Sequence, residues 1–398
     1  MAEPAAVPEK RQRRGRAVNR PEVDVAVVGG GPVGLALAIL ALQNGLRVRV
    51  FEARTSRSSH SRAIGIHPPG MAALEATGVS AQLAAEGVQI RTGSARTRDT
   101  ELISISFAKT STAYPYVLAL PQERTETVLQ ARLEELDPDA LQRGHRITSL
   151  HDDGRGVSLA GTTTAGDFAV RASWVVAADG ARSAVRGLLG VRAAGKLLRD
   201  SYLMGDFPDN TADGPVGVLY LEPEGIVESF PLPGGKRRWV AHTRTLQSDA
   251  DAKDLARIVA ARTGRVPEAA ASTMLSAFSV RTTALKQLVH GRTVLIGDAA
   301  HEVSPIGGQG MTLGWIDAAE LAPLLAAAVR GADVGARLAA FDRRRRRAAV
   351  VASAQARLNM ALGRPLPAPL MQARNTVLAR LFRSRMLSDG VARRFTMQ

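Results

Sequence analysis

The chain has 398 residues, 45% of them hydrophobic and 22% charged, with a formal net charge of +15; this is a globular rather than a disordered composition. It contains no cysteine, which excludes a disulfide scaffold, cysteine-held metal or iron–sulfur sites, and thiol redox or nucleophilic chemistry. The charge sits at the ends, with +4 in residues 1–20, +12 in residues 343–398 and −1 in the 322 residues between them.

In chain order, residues 1–20 read as a basic disordered arm. Val23–Val28 is a β-branched run typical of a buried parallel strand, 29–34 a glycine-rich turn, and Leu35–Asn44 a helix stopped by Gly45. Leu46–Phe51 is the next strand and closes a βαβ unit. The stretch Val23–Leu42 is long enough to cross a membrane, but its glycines and Pro32 divide it into strand, turn and helix. Residues 88–116 are turn-rich, Glu123–Leu136 reads as a helix, and 145–178 as a β-meander ending in the apolar strand Ala172–Ala177. Residues 196–286 read as strands, Thr293–Ile296 as a buried strand, and Leu313–Val329 as the start of a helical C-terminal third. Within that third, Leu370–Leu387 has helical spacing of apolar residues, and packing against the body is favoured over membrane contact. The run Arg343–Arg347 has no interleaved aromatic and reads as a solvated face, so no nucleic-acid partner is expected. No targeting segment stands out, and the protein is expected to be cytoplasmic.

Gly29, Gly31 and Gly34 form G-x-G-x-x-G between a strand and a helix. The first glycine makes the tight turn, the second lets backbone approach a pyrophosphate, and the third lets helix pack on strand. The helix N-terminus adds free N–H groups and the positive end of its dipole. Glu52 follows Gly34 by 18 residues and can accept a ribose hydroxyl. This pattern indicates a dinucleotide and leaves NAD and FAD open. Two more motifs end strands: Asp179-Gly180-Ala181-Arg182, and Gly297-Asp298-Ala299-Ala300-His301 running on to Pro305-Ile306-Gly307-Gly308-Gln309-Gly310. Each brings an aspartate to the carboxyl edge of an open sheet, where such folds bind ligands.

These three motifs, with Ser61-Arg62-Ala63 and Leu120-Pro121-Gln122-Glu123-Arg124, resemble the class A flavin monooxygenases built on the p-hydroxybenzoate hydroxylase fold, over residues 23 to about 325. The resemblance implies an α/β protein: a Rossmann-like FAD-binding domain (21–87, 117–195 and 287–330), an interleaved β-rich substrate domain (88–116 and 196–286), and a helical segment (331–398). It implies that Gly29, Gly31 and Gly34, with Val33 in the same turn, hold the FAD pyrophosphate and that Glu52 takes the adenosine ribose. Arg62 and Arg124 would follow the phosphate and ribityl path, Asp298 the ribityl chain, and the loop Pro305, Gly308, Gly310 the isoalloxazine. Asp179 with Arg182 would lie near the pyrophosphate and the approach of NAD(P)H, a transient cosubstrate. Thr312 and Glu320 stand where members of the family often have asparagine. The chain length is expected to leave out the thioredoxin-like domain of the longer phenol hydroxylases.

The implied reaction uses NAD(P)H and O2 and a flavin C4a-hydroperoxide to hydroxylate or epoxidise an aromatic or polyketide-like small molecule. A reductase or dehydrogenase of the same fold stays open, as does a non-catalytic flavin-binding protein docking through its basic ends. Segments 88–116 and 196–286 hold 9 of the 16 aromatics, including all four tyrosines, which suits either an aromatic-lined cavity or plain strand preference. No catalytic base is selected; His67 and His301 read as structural or cofactor-adjacent, and no metal pattern is present.

Overall fold

The computed structural model describes residues 21–57 and 63–398, the side chain at position 385 excepted. The expected basic arm, Ser61 and Arg62 therefore lie outside the described residues. The chain is α/β, as expected. In its first sheet, Val23–Val28 lies between Val48–Glu52 and Gly166–Ala177, with Leu141–Arg143 and Thr293–Leu295 outside these, all parallel. Val25, Ala26 and Val27 are fully buried because both faces of a parallel sheet are covered. Helix Pro32–Gln43 is apolar all round and buried from Gly34 to Ala41, packed on this sheet and on helices Gln122–Leu136 and Gln309–Val329. The expected meander is Arg146–Asp152, Val157–Thr163 and Gly166–Ala177, whose last half becomes the parallel strand.

The second sheet runs His301–Glu302, Met274–Ala284, Ala194–Pro208, Lys236–Thr243, Val227–Leu232, Val216–Tyr220, Thr92–Arg96, Glu101–Ser106, and only the pair Val216–Tyr220 with Thr92–Arg96 is parallel. Leu203, Phe207, Val227 and Trp239 face helix Ala252–Thr263, while Tyr202, Met204, Ile226 and Val240 face the other way, the period-two alternation of a strand. A small sheet pairs Val117–Ala119 with Gly65–Ile66 and with Val88–Ile90, so the segment from 88 divides between two sheets. Helices Gly335–Gly363, Ala368–Leu381 and Arg385–Phe395 follow, the last two packed on Glu101–Ser106.

Four expectations need correction. Helix one begins at Pro32 rather than Leu35, because proline in the first turn sacrifices only an N–H that has no helical partner. The strand-like stretch 196–286 also holds helix Ala252–Thr263, announced by an Asp251/Asp254 capping box and by Gly264 at φ +72°. Leu370–Leu387 is not one helix; it breaks between Leu381 and Arg385, which lets the chain fold back over the sheet. Finally, Arg343–Arg347 is a solvated face only in part: Arg343, Arg344 and Arg347 are exposed, but Arg345 is buried on Asp317 and half-buried Arg346 pairs with Asp342.

Asp317 is fully buried and accepts from Gly297 N–H at 2.9 Å, His301 Nε2 at 2.7 Å and Arg345 Nε at 2.6 Å. Burial alone would raise its pKa, but His301 and Arg345 outweigh burial and lower it. The His301 pKa is raised, because Asp317 outweighs the opposing effect of burial. Asp317→Asn leaves two cations without their buried counter-charge and is expected to cost about 3–5 kcal/mol in denaturant unfolding. The Asp317 contribution is present above about pH 4 and is lost as pH falls through the lowered folded value; that of His301 is present below about pH 6.5 and is lost as pH rises through the raised one. Both dependences should flatten in the variant, as read from stability measured against pH.

Candidate active site

Neighbouring parallel strands deliver the predicted residues to one edge. Val28 is in register with Phe51 on one side and Ala177 on the other, so the turn 29–34, Glu52 and Asp179 emerge side by side. Glu52 Oε2 accepts from Gly30 N–H at 2.8 Å, and Oε1 from Arg54 N–H and Nε, both at 2.9 Å. Burial opposes its ionisation, but the bonds to Arg54 and Gly30 prevail and lower its pKa. A Cβ on Gly29 would stand 2.4 Å from Ala178 O, and one on Gly34 2.0 Å from Gly29 O, so both positions require glycine. A Cβ on Gly31 would meet nothing within 4 Å, which leaves its backbone open to a ligand. The helix that follows has no side-chain cap, and its N–H groups are free for an anion. Val33 instead points at helix Gln309–Val329: a Cβ on Gly314 would fall 2.4 Å from its Cγ2.

Asp179 Oδ2 accepts from Val185 N–H at 3.1 Å, while its Oδ1 is buried with no partner among the described residues; Arg182 is exposed. Asp298 follows strand Thr293–Leu295 at the same edge, next to Gly310, whose Cβ would lie 3.8 Å from its Oδ1. Solvent reaches Asp298, yet the protein around it raises its carboxyl pKa, against the pull of His301. Gly308, at φ +67°, opens helix Gln309–Val329, which also lacks a side-chain cap. Arg124 is turned elsewhere: its Nη2 binds Glu86 Oε1 at 2.8 Å, and both line a cleft with Lys236 and Arg238. Thr312 is buried, and Gly70 has to be small because a Cβ there would lie 2.8 Å from Thr312 Oγ1. Glu320 pairs with Arg344 and Arg345. Among the described residues no group of histidines and carboxylates could hold a metal ion.

A cavity of about 270 Å³ lies between the second sheet, the small sheet, the turn Pro305–Gly308 and the C-terminal helices. Five phenylalanines line it, Phe107, Phe230, Phe278, Phe382 and Phe395, and no tyrosine does. The expected aromatic lining is therefore phenylalanine, two of the five from the C-terminal segment rather than from 88–116 or 196–286. His67 is on the wall, with Nε2 2.7 Å from Gly307 O and its ring 5.7 Å from that of Phe395. Burial lowers its pKa to about 4, so it is neutral and Nε2 carries the hydrogen donated to the carbonyl. His301 lies in the ion cluster on Asp317, a structural role.

Sequence reasoning passed over Glu228, a buried acid that lines the cavity. Its signal was an acid at an inward position of the alternating run Val227–Leu232, readable only once the inward face is known.

The FAD binding domain family matches residues 22–356. Anhydrotetracycline monooxygenase of Streptomyces rimosus is 31% identical over 340 residues, which are 81% of this chain and 66% of that protein, so the chain spans just under two thirds of that relative. Para-nitrophenol 4-monooxygenase of a Pseudomonas species is 30% identical over 329 residues, 77% of this chain and 78% of that one. Among solved structures, p-nitrophenol 4-monooxygenase of Pseudomonas putida aligns with a TM-score of 0.84 at 25% identity, over 94% of this chain and 98% of that one. Aklavinone-11 hydroxylase, solved with FAD and aklavinone, aligns with a TM-score of 0.72 at 25% identity, over 89% and 73% of the two chains. The family match runs through all three strand-end motifs and the strands that bring them to one edge, and the chain belongs to the class A FAD-dependent monooxygenase family.

Proposed function

We propose that this protein is an FAD-dependent monooxygenase that uses NAD(P)H and O2 to hydroxylate an aromatic or polyketide-like small molecule. The observation that carries this reading is the phenylalanine-lined cavity whose wall includes Pro305–Gly308, the turn that enters helix Gln309–Val329 beside Asp298. The names of the relatives, monooxygenases of anhydrotetracycline and para-nitrophenol, support the substrate class.

The residues present fit FAD. The open backbone at Gly31, the uncapped helix behind it and the orphaned Asp179 Oδ1 suit a pyrophosphate and its hydrogen-bonding partners. Gly29, Gly31, Val33 and Gly34 would hold the pyrophosphate, Glu52 the adenosine ribose, and Asp298 the ribityl chain. Pro305, Gly308 and Gly310 would face the isoalloxazine, Asp179 with Arg182 would border the pyrophosphate, and Arg62 would line the path between, whereas Arg124, held by Glu86, is not assigned to it. Bound FAD, reduced by NAD(P)H, supplies the activation of O2 and the transfer of one oxygen atom.

The chain's own residues do the rest. The uncapped first turn of Gln309–Val329 offers N–H groups and the positive end of a helix dipole to developing negative charge. Neutral His67 holds Gly307 O and so fixes the turn's shape. The apolar wall excludes water, which strengthens each electrostatic contact inside. In domain terms, the parallel sheet would carry FAD, the antiparallel sheet the substrate, and the C-terminal helices would close the cavity.

Two experiments test this. With labelled O2 and an accepted phenol, one oxygen atom is expected in the product and NAD(P)H oxidation rises when substrate is added; product formation without O2, or a protein that takes up no FAD, overturns the reading. Gly31→Val is expected to keep the wild-type Tm but to weaken FAD binding about tenfold or more, roughly 1.4 kcal/mol. Gly34→Ala should lower both Tm and FAD content, because its Cβ would lie 2.0 Å from Gly29 O.

A further inference from the structure

The cavity side of the second sheet is a row of apolar side chains interrupted by a carboxyl group. Along Val227–Leu232, Glu228 and Phe230 face the cavity, and Ile226 just before them does too. Glu228 pairs across the strands with Val240 on one side and Leu219 on the other, both of which line the cavity. Its relative exposure is 7%, and no side chain or backbone group among the described residues hydrogen-bonds its carboxylate. The other charged side chain on the wall, Arg238, is engaged with Asp206 through Nε at 2.6 Å and Nη2 at 2.8 Å.

A buried carboxyl without a donor costs stability. Its place is understandable if a ligand brings the donor. The other cavity-facing groups are poorer proton acceptors: His67 keeps Nδ1 free among the described residues, but burial lowers the ring's pKa to about 4 and makes it a weak base, and the Tyr202 hydroxyl is buried outside the cavity lining. Around Glu228 lie Tyr202, whose ionisation its charge opposes, and on the same cavity wall Arg238, paired with Asp206, and His67; burial alone sets its own shift.

We propose that Glu228 is the catalytic proton acceptor for a hydroxyl on the substrate's aromatic ring, so that the substrate is a phenol whose O–H meets this carboxylate; this rests on the monooxygenase reading. In the step, the substrate O–H bond breaks, a new O–H bond forms on a Glu228 oxygen, and the freed electron pair stays on the phenolic oxygen. From there it raises electron density at the ortho and para carbons, where an electrophilic oxygen is accepted. The carboxyl is reset when its proton returns to the product's oxygen. Burial pushes the Glu228 pKa up to about 7, which matches it to a proton exchanged near neutral pH.

The test uses the full-length, FAD-loaded protein with phenol and 4-methylphenol as probes, which ionise near 10 as tyrosine does, and their methyl ethers as controls. Binding is read from the perturbed flavin spectrum, and turnover from NAD(P)H oxidation, product and peroxide. The wild type is expected to prefer phenols to their ethers about tenfold or more above pH 7, and Glu228→Gln to lose that preference. With phenols, kcat/KM should rise through an apparent pKa near 7 in the wild type. In Glu228→Gln it should drop about a hundredfold or more, with the rising limb displaced towards the phenol's own ionisation. Glu228→Asp, which keeps the carboxylate, should retain a near-neutral limb at a lower rate, and it replaces the amide variant if that one takes up no FAD. An unchanged limb and phenol preference in Glu228→Gln overturns the proposal, as does a wild type that binds phenols and ethers alike. The binding comparison reads Glu228 even where no oxygen enters the product, so failure of the monooxygenase reading is seen separately.

Discussion

The carboxylate of Asp317 ties together three separate parts of the chain. It takes the N–H of Gly297 at the start of the third motif, the ring of His301 at its end and the guanidinium of Arg345 from the long C-terminal helix. Helix Gln309–Val329, which carries Asp317, begins at the Gly308 turn on the cavity wall, so one buried anion sets the turn, the strand-end aspartate and the helix in a common frame. A charged cluster of this kind is weak evidence of net stability, because desolvation offsets much of the attraction. What it does provide is a unique arrangement, since displacing any one partner strands a buried charge.

From that frame the long helix Gly335–Gly363 reaches the far side of the second sheet, where Asn359 and Leu362 join the cavity wall and Met360 packs beside Ile306. The two helices that follow add Leu378, Phe382, Val391 and Phe395 to the same wall, and the ring of Phe395 stacks on Phe107 of the sheet at 5.8 Å. The cavity is thus lined by segments distant in sequence, and its contents are set by the alternation of the second sheet. One face packs helix Ala252–Thr263 with Leu255 and Val259, and the opposite face is left to line the cavity. That division gives Glu228 its place: one residue along in either direction, the side chain would point at the helix.

The dinucleotide edge was legible in the sequence because its chemistry is local. A glycine that must turn, a glycine that must let a helix approach, and an acid at the end of the next strand all lie within one βαβ unit; Gly29 and Gly34 have no room for a Cβ, and Glu52 ends the neighbouring strand beside Gly30. Asp179 and Asp298 were legible because apolar strands announce their own ends. Helix Ala252–Thr263 was missed among strands although its capping box was in plain sight, since strand-rich surroundings masked a short helical period. Within the arginine run it was Arg345 that was misread, because five consecutive arginines look alike until a partner helix supplies Asp317 for one of them.

The sequence by itself determined the fold class, the family and the edge on which a dinucleotide would lie, since these depend on strand ends, glycine turns and spacing within short stretches. Only the tertiary structure decided which aromatics line the cavity, that the C-terminal helices form part of its wall, that Arg124 is held by Glu86, and that Glu228 faces inward with no hydrogen-bond partner among the described residues. Those features depend on which face of a strand meets which distant helix. Burial, pairing and pKa follow from contacts between separate elements, such as Glu86 with Arg124 or Phe107 with Phe395, and no local pattern encodes them.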